Sequence, residues 1–187
     1  VARWRRLQYR RGYVTVEWSD PDAVIAAMYR DHARSLVGLA RLFVDHRDAA
    51  EDIVQEAFIR LARSLHRIHD PAKAAAYLRS IVLNLARDHN RRGLLLLRHA
   101  ARADDLDPVG IDETITHHHD HVHLVAELRQ LPRRQRDCIA LHYLLELTVA
   151  EIADTLGLSP NSVKTHLKRG LATLRAAPDL TSLLEEN

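Results

Sequence analysis

A chain of 187 residues with 47% hydrophobic content is long enough for one large or two small folded domains, and 5% aromatic content with few Gly and Pro points to an all-helical protein. The formal net charge of +2 names no partner by itself, and the single cysteine, Cys138, excludes an internal disulfide and a cysteine-based zinc framework. No apolar run approaches the length of a membrane span. The charges are unevenly placed, however: acids gather at Asp48–Glu56 and cations at Arg79–Arg98 and Arg133–Arg175. That separation suits a protein that meets both a basic protein surface and a polyanion.

In chain order, residues 1–19 are basic but lack the apolar centre of a signal peptide, so they read as a disordered arm and imply a cytoplasmic address. Asp20-Pro21 opens a helix to about Asp45, with Val24, Met28, Leu36, Leu39, Ala40 and Phe43 facing a core. A second helix runs from Asp48 to about Ile68, with Ile53, Ala57, Leu61 and Leu65 recurring every four residues. His69-Asp70-Pro71 breaks the pattern, because the residue before proline avoids the helical region. A third helix follows from about Ala72 to Arg92, packing Tyr77, Leu78, Ile81, Val82 and Leu85 inside. Periodicity then fails in the acidic, turn-rich stretch around Ala103–Gly110.

A second helical unit begins near His121, with Leu124, Leu128 and Leu131 before a break at Pro132, then Ile139, Leu141 and Tyr143 on the next helix. The expected architecture is all-α: a three-helix bundle (20–100) and a smaller unit (121–178) joined by a flexible linker (101–120), with a tail at 179–187. Cys138 lies in an apolar run and reads as a buried structural thiol.

Within the second unit, LTVAEIADTLGLSPNSVKTHLKRGLATLR (Leu147–Arg175) reads as two short helices around a tight turn. Thr148 and Glu151 have capping-box spacing, Gly157 can take the left-handed conformation that stops the first helix, and Ser159-Pro160 starts the second. Val163, Leu167, Leu171 and Leu174 supply a buried stripe. Asn161, Ser162, Lys164, Thr165, Lys168 and Arg169 face outward with no acid among them, as a helix reading a major groove requires.

Two further surfaces carry charge. Asp48, Asp52 and Gln55–Glu56 share one broad outward face, a candidate protein-docking surface, although acids in a first turn also complement the helix dipole. Arg79, Arg87, Arg91 and Arg92, met by one acid, Asp88, make a cationic helix end suited to phosphate. In Thr116–His123, His117 and His121, or His119 and His123, fall one turn apart if the stretch is helical. It is read first as a His-rich linker that joins the next helix, and alternatively as a metal- or pH-responsive element.

DAAEDIVQEAFIRLARSL, AAAYLRSIVLNLARDHNRRG and LPRRQRDCIALHYLLELTVAEIADTLGLSPNSVKTHLKRGLATLR, in this order, resemble bacterial sigma factors of the extracytoplasmic-function (ECF) class over roughly residues 20–177. The resemblance implies that the first bundle is region 2 and the second unit region 4. It implies core RNA polymerase as partner, through the β′ coiled coil and the β flap, with Asp48, Glu51, Asp52, Gln55 and Glu56 on the surface that grips the coiled coil. Asn84, Arg87, Asp88, Arg91 and Arg92 would face the −10 promoter element, Asn84 and Asp88 alternatively making local contacts within the bundle. The loop from about His66 to Ala75 would hold a flipped base. Ser162, Lys164, Thr165, Lys168 and Arg169 would enter the −35 major groove, with Arg133 and Arg134 on phosphate. The melting region has Tyr77 but lacks the clustered Trp and Phe of housekeeping sigma factors, so strict promoter requirements are expected. No catalytic residue, cofactor or metal ion is expected, and an anti-sigma protein would be a fitting regulator. The alternative is a stand-alone helix-turn-helix transcriptional regulator.

Overall fold

Asp20 starts the first helix as the sequence requires: its Oδ1 accepts from the amides of Asp22 and Ala23 at 3.1 Å each, and Pro21 occupies the first helical position. The computed structural model describes residues 20–68, 70–100 and 118–177, with backbone alone at 71, 92–100 and 118–123. The basic arm, most of the expected linker and the tail at 179–187 lie outside the described residues.

Helices α1 (Pro21–Arg41), α2 (Arg47–Ser64) and α3 (Pro71–Ala100) pack against one another as the first bundle. Every expected core residue of α1 and α2 is buried. The second helix ends earlier than expected, giving way to a 3-10 turn at Leu65–Arg67. Asp70 then caps α3 by accepting from the Ala72 amide at 3.0 Å. Helix α3 therefore begins at Pro71, and Ala74 and Ala75, expected in a base-holding loop, are buried helical residues instead.

Two further expectations for α3 need correction. Tyr77 is 40% exposed rather than packed inside, whereas Leu83, which the periodicity did not single out, is buried. The helix also runs past Arg92 through Gly93 to Ala100, since a mid-helix glycine costs only about 1 kcal/mol.

The second unit comprises α4 (His118–Gln130), α5 (Arg133–Tyr143), α6 (Val149–Leu156) and α7 (Pro160–Arg175). The start of α4 at His118 makes the histidine stretch from there to His123 helical; His117 lies outside the described residues. Helix α7 lies across α5 and α6, and its buried line is Val163, Gly170 and Leu174 with Leu167 and Leu171 half-buried. Gly170 lets the helices close: a Cβ there would stand 2.5 Å from Ile139 Cδ1 and 3.2 Å from Gln135 Cβ. No strand occurs among the described residues. The core is continuous across both units, running from Leu36, Leu61 and Leu78 to Leu128, Leu141 and Ile152, with α6 against α3.

Candidate polymerase and nucleic-acid interfaces

The helix-turn-helix is built by local interactions. The Thr148 hydroxyl accepts from the Glu151 amide at 3.3 Å while Glu151 Oε2 accepts from the Thr148 amide at 2.8 Å, completing the capping box. Burial pulls the Glu151 carboxyl up, but the Thr148 hydrogen bonds and the nearby Arg79 charge outweigh it and hold the group below its ordinary value. Gly157 ends α6 at φ +63°, where a side chain would be strained. Ser159 Oγ accepts from the Ser162 amide at 3.1 Å and starts α7.

Because Val163 and Leu174 are buried, the opposite face of α7 is turned outward. Lys164, Thr165, Lys168 and Arg169 are exposed, and Ser162 is half-buried in the cap. Thr165 donates back to the Asn161 carbonyl at 2.9 Å. Arg133 and Arg134 lie exposed at the start of α5, with Arg134 Nη1 donating to the Leu156 carbonyl at 3.4 Å.

On α2, Asp48, Asp52 and Gln55 are exposed, and Glu51 and Glu56 are half-buried. Arg47 Nε meets Glu51 at 2.7 Å, and Arg60 Nε meets Glu56 at the same distance. These are solvent-screened pairs one helical turn apart, so a basic partner displaces them at little cost.

On α3, Asn84, Asp88 and Arg91 are exposed; the Arg92 side chain lies outside the described residues. Asn84 Oδ1 accepts from Arg87 Nη1 at 3.0 Å, the local contact allowed for from the sequence. Arg87 itself is turned inward, its Nη2 standing 2.5 Å from Oδ2 of the buried Asp137.

An outward cationic face on α7 and an acidic face on α2 thus coexist with α3, whose Arg79 and Arg87 are turned inward and whose Arg91 is exposed. The Sigma-70 region 2 model matches residues 28–93 and the Sigma-70, region 4 model residues 122–174. An RNA polymerase sigma-E factor of Streptomyces avermitilis is 30% identical over 146 residues, covering 78% of this chain and 80% of that one. The chain belongs to the ECF sigma factors.

The probable RNA polymerase sigma factor RfaY of Xanthomonas campestris pv. campestris is 34% identical over 134 residues, which span 68% of this chain but 33% of that longer protein. Curated matches also include proteins named as ECF RNA polymerase sigma factors. Among solved structures, CnrH in complex with the cytosolic domain of CnrY superposes with a TM-score of 0.63 at 25% identity, covering 90% of this chain and 91% of CnrH. As a sigma factor, this chain directs transcription initiation at promoters, which sets aside the stand-alone regulator.

Periodicity and charge did not single out Arg129, Arg136 or Asp137 as joining region 2 to region 4, and they placed Arg79 on a phosphate-binding helix end, whereas it is buried at that junction. Arg129 of α4 donates to the Leu42 carbonyl at 3.0 Å, the Arg41 carbonyl at 3.4 Å and the Asp45 carboxylate at 2.7 Å, so it caps the end of α1. Arg79 Nε donates to the Thr155 hydroxyl at 3.2 Å within the buried α3–α6 contact. Arg136 lies over the Phe43 ring at 4.9 Å, and its burial lowers the guanidinium's proton affinity. The available signal was slight: Asp137 is the single acid in Arg133–Asp137, followed immediately by an apolar run. Among the described residues no group of His, Cys, Asp and Glu could hold a metal ion, and no helix is long and apolar enough to cross a membrane.

Proposed function

We propose that this sigma factor grips the β′ coiled coil of core RNA polymerase with Asp48, Glu51, Asp52, Gln55 and Glu56, and places region 4 near the β flap. It reads the −10 element with Asn84, Arg87, Asp88, Arg91 and Arg92. It reads the −35 element with Ser162, Lys164, Thr165, Lys168 and Arg169, Arg133 and Arg134 holding phosphate. The observation that carries this reading is the outer face of α7, where Lys164, Thr165, Lys168 and Arg169 stand exposed with no carboxylate among them.

The work is recognition without bond chemistry, done in the cytoplasm where polymerase and promoter meet. Cationic contacts give salt-sensitive affinity, and each good base contact discriminates by about 1–3 kcal/mol. The exposure of Tyr77 supports a single stacking platform for a melted strand, in line with strict promoter requirements. A small regulatory protein of the anti-sigma kind fits as partner; the likeness to CnrH, solved with CnrY, supports that class.

The test is gel filtration of the full chain with sigma-free core polymerase. Stoichiometric co-elution, lost in Asp52→Lys/Glu56→Lys, is the expected result. Co-elution unchanged by that double reversal would remove the α2 face from the docking surface.

A further inference from the structure

We propose that the start of α4 is a transition-metal site: His119 and His123, one turn apart, hold a divalent ion that prefers imidazole ligands, such as Zn²⁺ or Ni²⁺. Of the chain's 13 histidines, five fall in the seven residues from His117 to His123, a concentration that recognition of promoter and polymerase does not use.

The sequence leaves two pairs open, His117 with His121 and His119 with His123, and the fold separates them. Helix α4 begins at His118, so among the described residues only the second pair lies wholly on helical backbone. The core-facing side of α4 is marked by the buried Leu128, with Val125 half-buried beside it. Position 121 comes one turn before Val125 and continues that line. At about 100° per residue, positions 119 and 123 instead fall about 180° and 140° from Leu128. They share that side of the helix with Ala126 and Gln130, both exposed. Ala126, in the turn after His123, is too small to cover the pair.

Residues four apart on a helix carry their Cβ atoms about 5–6 Å apart, close enough for two imidazoles to meet one ion at about 2 Å from each nitrogen. The helix sets that spacing before any ion arrives, so binding does not have to organise a loop. A cation in the first turns of a helix opposes the dipole, and two carboxylates offset this. Asp120 follows His119 directly, and Glu127 lies one turn beyond His123. Among the described residues the Glu127 carboxylate accepts from Gln130 Nε2 at 3.4 Å and pairs with no cation. Two imidazoles leave the remaining positions of the ion to water, so the site is a clip across one turn of α4 rather than a closed four-ligand centre. Binding needs neutral imidazole and therefore weakens as the pH falls below about 6.5.

The test is calorimetric titration of Zn²⁺ alone into the full chain, first stripped of metal with a chelator, at pH 7.5. One equivalent is expected to bind with a micromolar or tighter dissociation constant, and His119→Gln/His123→Gln to weaken it by at least about tenfold. His118→Gln/His121→Gln is expected to bind as wild type does. Because the ion pins one helical turn, hydrogen exchange of the amides at 120–127 is expected to slow with Zn²⁺ in wild type and to stay unchanged in H119Q/H123Q. No heat, or weak binding of several equivalents that H119Q/H123Q leaves unaltered (an adventitious ion only), would overturn the proposal. Equal losses in the two double variants would overturn it as well, since a histidine-rich tract would then bind without any helical register. One equivalent bound with no slowing of exchange would place the ion away from α4, with the same consequence.

Discussion

The two helices proposed to face DNA, α3 and α7, carry similar cations but stand in opposite situations. On α7 the cations look outward and, among the described residues, none is paired with a carboxylate, because the helix packs its apolar side on α5 and α6 and leaves its polar side unclaimed. On α3 the central arginine, Arg87, is half-buried against the fully buried Asp137 from another part of the chain. Composition alone does not separate the two helices; what does is whether the remaining fold brings an acid within reach. A cationic face is thus a statement about possible partners, and tertiary packing decides which partner holds it.

The largest effect expected on this comparison removes region 4 altogether. Leu141 is fully buried, and Leu141→Ala should destabilise the chain by about 2–5 kcal/mol. The α7 face and the Asp137 contact with Arg87 would go together, visible as an early thermal transition with loss of the proposed −35 binding. A variant that melts like wild type would show that region 4 does not depend on this core. Next in size, Lys168→Ala/Arg169→Ala touches α7 only. If these side chains reach base and phosphate, holoenzyme affinity for −35-dependent promoters falls at least about tenfold, and the salt slope flattens by about one per lost phosphate contact. Polymerase co-elution should be unchanged, and its loss would count against the division of labour between α2 and α7. Smaller again, Gly157→Ala puts a side chain at φ +63° and should cost about 1–2 kcal/mol, loosening the α6–α7 turn without touching α3. A denaturant midpoint equal to wild type would contradict that assignment.

These variants also mark how much was legible in the sequence. The caps of α1, α6 and α7 were readable because each depends on residues at most three apart, such as Thr148 with Glu151 and Ser159 with Ser162. The outward face of α7 was readable for the same reason, since helical spacing alone puts Lys164, Lys168 and Arg169 opposite Val163 and Leu174. Tyr77 was misplaced because an aromatic beside Leu78 satisfies an apolar pattern without being buried. The partnership of Arg87 with Asp137 spans two helices from different regions, and no local pattern reports which way region 4 is docked. What the sequence did offer was the anomaly of one acid in a basic segment, whose meaning needed three dimensions.

The smallest expected effect is a pH dependence at the same junction. His32 of α1 lies in a cleft of about 170 Å³ with Arg79 of α3, its neighbour Asp31, and Glu146 with Leu144, Leu145 and Leu147 from the α5–α6 turn. Burial lowers its pKa from the ordinary 6.5, the Arg79 charge lowers it further, and Asp31 opposes both. A lowered folded-state pKa means that the folded chain binds the proton less readily than the unfolded one. Its advantage is therefore complete above about pH 6.5, declines as the pH falls through that value towards the lowered one, and levels off below it. The comparison must be made against His32→Gln, because the chain holds 13 histidines that titrate in the same range. Wild type should lose more melting temperature between pH 7.5 and 5.5 than the variant does. Equal losses in the two chains would mean that the cleft does not sense the proton. A difference would locate acid sensitivity where α1 and α3 meet the α5–α6 turn.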